Sequence, residues 1–274
     1  MKYQAPKTVL CIHDLSALGR CSIAVIAPVL SAMGHQAVVL PTTLLSTHTG
    51  GLGDPVMQDC TAFGPQALRH YQELGLSFDC IYSGYLASPE NQKLVLAAYE
   101  AWPDAAKIAD PVLGDNGRLY KGMENMLPYM KEICEKADLV IPNLTEACLL
   151  MDRPYPQQEL TEQEVEEIAA GLSGQFNQTL VTGIRQGRDL MSLGCGKQNF
   201  KVRRLALDRN YPGTGDLFGA VLAGALLRGN ALSAAADAAA GFVADSIKHT
   251  DPNADPALGV WFEPILNRLC GGGV

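Results

Sequence analysis

Short apolar, β-rich runs alternate with segments of helical spacing through most of this chain. The runs fall at residues 8–12, 37–40, 79–83, 107–109, 138–141 and 179–182. The helical segments fall at 22–33, 64–74, 89–101, 124–137, 143–151, 161–172, 216–228 and 233–248. Such alternation implies a mainly parallel sheet covered by helices on both faces, an α/β fold of three layers, α/β/α. Residues 189–207 depart from the pattern and read as two antiparallel strands around a Gly194-Cys195-Gly196 turn. No internal repeat or linker divides the chain, so residues 1–270 are expected to form one domain, with 271–274 as a disordered tail.

In sheets of this kind ligands bind beyond the carboxyl ends of the strands. The polar residues of this sequence gather at those ends: Asp14, the run 42–48, Tyr85, Asp110 and Asp115, Asn143 and Glu146, and Thr182. The net charge of −8, from 29 acidic and 21 basic residues, argues against nucleic acid or an anionic membrane as the main partner. Small molecules remain. The eight cysteines include no C-x-x-C pair and no zinc spacing, and most sit in apolar segments as reduced core residues. With no signal-like start and no apolar run long enough to span a bilayer, a soluble, cytoplasmic setting is expected.

The stretch 210–220, Asn-Tyr-Pro-Gly-Thr-Gly-Asp-Leu-Phe-Gly-Ala, concentrates the chemistry. Gly213 and Gly215 let backbone amides approach a ligand closely, and the helix that follows aims its N-terminal amides at the same spot. Asp216 lies in the first helical turn. Phosphoryl transfer needs such a pair: amides for the moving negative charge and a base for the attacking hydroxyl. The plainer reading is a loop and an ordinary helix start.

Asp110 follows a buried strand and precedes Pro111, which restricts its backbone. Glu146 stands three residues after Asn143, the spacing of a capping box. Carboxylates near a nucleotide triphosphate act through Mg²⁺ and its waters, because bare carboxylates repel phosphates. Glu146 is therefore either a cap partner, a group presented to a metal-bound water, or both. His48, in a Ser-Thr-His-Thr run, reads as a solvated loop residue or a ligand contact; Asp14 as a loop cap or a substrate contact; Tyr85 as a packing residue or a pocket wall. A second capping box is expected at Thr161 and Glu164. The G-x-x-x-x-G-K-[ST] and G-x-G-x-x-G fingerprints are both absent.

Taken together, these motifs resemble the ribokinase superfamily, in its pyridoxal/pyridoxamine (vitamin B6) kinase branch. Ser46-Thr47-His48-Thr49-Gly50 resembles the family's S-N-H-T-G loop, and Ser83-Gly84-Tyr85-Leu86 its S-G-Y-L stretch. Asp110-Pro111-Val112-Leu113-Gly114-Asp115 resembles D-P-V-[ML]-G-D, residues 142–147 resemble P-N-x-x-E-A/L, and Gly213-Thr214-Gly215-Asp216 resembles G-T-G-D. The resemblance implies a ribokinase-like fold without a separate lid domain. It implies ATP-dependent phosphorylation of the 5′-hydroxymethyl group of pyridoxal, pyridoxamine or pyridoxine, with Asp216 as catalytic base and Gly213, Thr214 and Gly215 as the anion hole. Asp110, Asp115, Asn143, Glu146 and Thr182 would surround ATP and Mg²⁺, with Asp110 and Glu146 reaching the metal through water. A monovalent cation is a further expectation. Asp14, His48, Thr49 and Tyr85 would line the acceptor pocket, and the chain would be a homodimer.

The first loop departs from the family's S-H-V-x-x-G-x-x-G-N pattern. Asp14-Leu15-Ser16 leans toward the hydroxymethylpyrimidine kinases of thiamine synthesis, the alternative activity. A non-catalytic vitamer-binding protein is the alternative from another class, and Asp216 speaks against it.

Overall fold

The computed structural model describes residues 5–197, 199–207 and 209–271. Residues 1–4 lie outside the described residues, as does the tail expected from the sequence to be disordered, 271–274, apart from Gly271. The fold is built on a nine-stranded sheet in the order β11-β10-β9-β8-β5-β4-β1-β2-β3. The longest strand of its parallel part, bar its neighbour β2 (Gln36–Thr47), is β1 (Thr8–Leu18), which pairs in parallel with β2 and with β4 (Cys80–Ser83). Parallel pairing continues through β5 (Ala106–Ala109), β8 (Leu139–Val140) and β9 (Thr179–Gln186). The edges are antiparallel: β3 (Met57–Asp59) on β2, and β10 (Asp189–Cys195) and β11 (Phe200–Leu205) beyond β9. A small separate ribbon joins β6 (Gly114–Asp115) to β7 (Arg118–Leu119).

Residues that alternate along the strands build two cores. Leu10, Ile12, Ile81 and Ala109 point into one, under α2 (Phe63–Glu73), α3 (Pro89–Ala101), α4 (Leu127–Lys136), α5 (Leu144–Leu150) and α6 (Glu162–Gln175). Val9, Cys11, Tyr82 and Ile108 point into the other, under α1 (Ile23–Ala32), α7 (Thr214–Leu227) and α8 (Leu232–His249). The period of two follows from strand geometry, so each central strand serves both layers. The sheet needs that double cover, because parallel strands are apolar on both faces. α7 lies directly on the sheet: at Gly219 a Cβ would collide with the Tyr82 hydroxyl. Among the described residues no helix is long and apolar enough to cross a membrane. All eight cysteines are free, and Cys11, Cys21, Cys80, Cys134, Cys148 and Cys195 are buried.

The expected elements are present, and the differences cluster at the strand ends. β1 runs on to Leu18 instead of stopping at residue 12, and β2 continues to Thr47, because the two pair along their whole length. Their register slips between His13 and Leu15, so Asp14 sits at an irregularity opposite Thr42 and Thr43. β9 also runs past Gly183, with a second slip opposite Ser192. Bulges re-aim side chains at the rims of sheets, and both lie where polar residues were expected to gather. Ser22 stands where a serine is the residue type expected to cap the helix over 22–33. It precedes α1 but makes no side-chain cap bond, and its φ of 57° is unusual for a residue other than glycine. The capping boxes at Asn143–Glu146 and Thr161–Glu164 both form.

Candidate active site

The site starts where β1 leaves the core. His13 and Asp14 are 1% and 3% exposed, so their polar atoms need protein partners. His13 Nδ1 lies 2.8 Å from Asp14 Oδ1, and its Nε2 lies 3.3 Å from Asp216 Oδ1. A carboxylate accepts only, so an imidazole between two of them is satisfied best with both nitrogens protonated. Burial alone would lower the His13 pKa, but the hydrogen bonds and charges of Asp14 and Asp216 prevail and push it up to about 10. Burial would raise the Asp14 carboxyl, yet the His13 contact, with help from the Ser22 and Ser16 hydroxyls, holds it below its ordinary value.

Asp216 is placed from the other side, by the first turn of α7. Gly213 precedes that turn at φ 77°, and a Cβ there would run into the Arg20 carbonyl, so only glycine allows the two loops to touch. The contact brings the Ser22 amide to Asp216, donating to Oδ2 at 2.7 Å. This explains the backbone of Ser22: its N–H is turned to the carboxylate rather than its hydroxyl to the helix. The first amide of the α7 ladder is that of Leu217, donating to Gly213. The amides of Thr214, Gly215 and Asp216 thus precede the ladder at the positive end of the helix. Gly215 has open space where a Cβ would be.

Across the cavity lies a different kind of acidic group. Asp110 accepts from the buried Tyr82 hydroxyl at 3.0 Å. Burial and the charge of Asp216 push its pKa up to about 7, against the pull of His13 and Tyr82. Glu146 accepts from the amides of Leu113 at 3.0 Å and Asn143 at 2.8 Å. Burial and the charge of Asp110 nevertheless hold it well above the usual carboxylate range. Asn143 closes the capping box and donates its side-chain N–H to Gly114. Among the described residues no three His, Cys, Asp or Glu side chains converge as a ready-made metal site.

Asp110 and Glu146 share a cavity of about 120 Å³ with Asn143, Thr182, Gly213, Gly215 and Asp216. It adjoins one of about 1060 Å³ whose wall includes Asp14, His48, Thr49, Tyr85, Asp115 and Thr214. The structure thus brings every candidate site residue, from Asp14 to Asp216, to one connected cleft. Their exposure to it differs. His48 commits both ring nitrogens to backbone, accepting from Gly50 N–H and donating to the Ala257 carbonyl. It offers the cleft a ring surface. Asp115 binds the amide and side chain of Asn116, and burial raises its carboxyl. Thr182 forms an isolated parallel bridge with Asn143.

A sequence model of the phosphomethylpyrimidine kinase family matches residues 28–259, most of the chain. The chain belongs to this family. Its relatives place it in the ribokinase-like pyridoxal kinase branch. A Bacteroides thetaiotaomicron protein provisionally described as a phosphomethylpyrimidine kinase, in a crystal form with pyridoxal, is 36% identical; the match covers 96% of each chain with a TM-score of 0.91. Pyridoxal kinase from Lactobacillus plantarum is 31% identical over 96% of each chain, with a TM-score of 0.89. A Bordetella avium pyridoxine/pyridoxal/pyridoxamine kinase is 28% identical over 91% of this chain and 90% of its own. The match to a Schizosaccharomyces pombe relative spans 65% of that relative's length.

The match to this kinase family begins only at residue 28, after the β1 strand end. Sequence reasoning missed most in that same region. In the sequence His13 is one polar residue among several after an apolar run, and Ser22 is of a type that caps helices. Tyr82, which reaches Asp110, reads in the sequence as an ordinary buried strand aromatic. The available signal was a His-Asp pair at the carboxyl end of an apolar strand.

Proposed function

We propose that this chain transfers the γ-phosphate of ATP to the 5′-hydroxymethyl oxygen of a vitamin B6 vitamer, with Asp216 as general base. The observation that carries the reading is the position of Asp216. Its carboxylate stands in the cleft beside three amides at the start of α7, on the seam between the small acidic cavity and the large one.

The small cavity would receive the triphosphate end of the nucleotide, and Asp14, Thr49 and Tyr85 in the large one would receive the vitamer ring. The vitamer hydroxyl oxygen attacks the γ-phosphorus, its proton passes to Asp216, and the bond from that phosphorus to the ADP oxygen breaks. The amides of Gly213, Thr214 and Gly215, the anion hole the resemblance implies, would face the charge carried by the transferring group, with that of Asp216 next in the same turn. The Ser22 amide and His13 fix the Asp216 carboxylate, which saves reorganisation when the hydroxyl arrives. Asp110 and Glu146 fit a divalent cation held through water. Both are buried carboxylates raised by burial and by neighbouring negative charge, and Mg²⁺ there would supply charge neutralisation to the phosphates. Asn143 and Thr182 line the same cavity and can donate to phosphate oxygens.

The similarity to a protein crystallised with pyridoxal and to the L. plantarum enzyme supports a B6 vitamer as acceptor. The Asp14-Leu15-Ser16 segment and the family description favour a second reading, phosphorylation of hydroxymethylpyrimidine. A coupled ADP-release assay with pyridoxal, pyridoxamine, pyridoxine and hydroxymethylpyrimidine decides between them. Turnover of at least one vitamer is expected. No turnover of any vitamer, with turnover of the pyrimidine, would reverse the order.

A further inference from the structure

We propose that His13 is the positioning residue of this site: its imidazole bridges Asp14 and Asp216, and so holds the base and the acceptor-side carboxylate as one unit. The inference rests on the reading of Asp216 as base and adds to it a residue that touches neither substrate nor phosphate in that reading.

Three independent features of the fold serve this bridge. The first is the slip in the β1–β2 register at Asp14, which lets His13 and Asp14, neighbours in sequence, meet side chain to side chain. The second is Gly84, at the end of β4. A Cβ there would overlap the His13 ring, so the absence of a side chain at 84 makes the space the imidazole fills. The third is a pair of serines: the Ser22 amide donates to Asp216 Oδ2 at 2.7 Å, and the Ser16 hydroxyl donates to Asp14 Oδ2 at 3.1 Å. Each carboxylate thus has one oxygen on the His13 ring and the other on a serine, and His13 alone joins the two. An array of two negative charges around one positive charge is satisfied within the protein and needs no ligand to order it.

At each ring nitrogen a carboxylate is the nearer partner and a backbone N–H donor the farther one: Asp14 Oδ1 at 2.8 Å and the Asp14 amide at 2.9 Å face Nδ1, and Asp216 Oδ1 at 3.3 Å and the Tyr85 amide at 3.4 Å face Nε2. Asp14 comes from β1, Asp216 from α7, the Tyr85 amide from the segment after β4, and Asp110 acts at longer range from the end of β5. None of them supplies a second cation. Removal of the imidazole leaves Asp14 and Asp216 with no positive charge between them and leaves the orientation of Asp216 to the Ser22 amide alone. A merely structural histidine would affect folding; a positioning one affects the rate of the step that uses Asp216.

The test uses the full chain with ATP and whichever vitamer turns over fastest. His13→Ala is expected to lower kcat by roughly 10- to 100-fold, the range for residues that orient a reacting group, with little change in KM for ATP. Free imidazole should restore part of the lost kcat in His13→Ala, which has the space vacated above Gly84. It should not do so in His13→Gln, whose side chain still fills that space. A kcat near wild type in His13→Ala, a loss confined to KM, or no rescue by imidazole would overturn the proposal. Should the variants not fold, ring ¹⁵N spectra of the wild-type protein decide. Near pH 8, above the ordinary imidazole value of about 6.5, both His13 nitrogens should carry protons, and a neutral ring would overturn it. Asp216→Asn is run alongside. Full activity there removes the base itself and the proposal with it, whereas loss in Asp216→Asn without loss in His13→Ala refutes His13 alone.

Discussion

The two acidic ends of the cleft are built on opposite principles. At the β1 end, Asp14 and Asp216 flank His13, and negative and positive charge alternate. At the β5–α5 end, burial and the charge of Asp216 raise Asp110, and burial and the charge of Asp110 raise Glu146; hydrogen bonds come from Tyr82, Leu113 and Asn143, and among the described residues no cation is in contact with either carboxylate. The first end is complete without ligand. The second is left short of positive charge, which suits the proposed binding of a metal-nucleotide there. A kinase has reason to make this division. Its base must be ionised and oriented before the hydroxyl arrives, whereas its metal travels with the nucleotide.

The largest effect expected from breaking the first end is that of Asp216→Asn. It should lower kcat by about 10²- to 10⁴-fold, the usual worth of a general base, while vitamer binding measured by calorimetry is retained. At the second end, Glu146→Gln keeps the shape but replaces one of two acceptor oxygens by a donor. Roughly 10-fold or more Mg²⁺ should then be needed for half-maximal rate, as for other residues that orient metal-bound groups. An unchanged Mg²⁺ titration would leave Glu146 as a helix cap only. Gly213→Ala strikes the loop contact that brings the ends together. It should cost about 1–3 kcal/mol of stability, read as a lower melting temperature, because alanine must adopt a positive φ against the Arg20 carbonyl.

The smallest effect is a pH dependence that separates the ends. His13 is raised from 6.5 to about 10 on folding, so its contribution is whole below about pH 6.5 and is lost as pH rises through 10. Asp14 is lowered, so its contribution is present above its ordinary value of 3.8 and is lost as pH falls below it. The melting-temperature gap between wild type and His13→Gln should be widest between about pH 4 and 6.5 and should close toward pH 10. A gap that does not change with pH would mean His13 is not charged in the fold.

Much of this was legible in the sequence, for a physical reason. The strand–helix alternation, the capping box at Asn143 and Glu146, and the glycine turn before Asp216 are local patterns. Their chemistry is complete within a few residues. His13 was not legible in that way. Its partner Asp216 lies on a helix near the other end of the chain, and the space for its ring is made by Gly84 on a third segment. The same holds for Ser22, which reads as a cap until Gly213 is seen to bring Asp216 against it. Strand lengths were underestimated because polar residues such as His13, Asp14 and Thr42 are buried by pairing that only the sheet reveals.

The central claim is that Asp216 serves a hydroxyl on one side and a phosphate on the other. A crystal structure with pyridoxal, Mg²⁺ and a non-hydrolysable ATP analogue tests it directly. The account predicts the 5′-hydroxymethyl oxygen within about 2.6–3.2 Å of an Asp216 carboxylate oxygen, with the γ-phosphate at the amides of Gly213 to Asp216. A hydroxymethyl group turned away from Asp216, or a triphosphate bound away from the α7 amides, would contradict it.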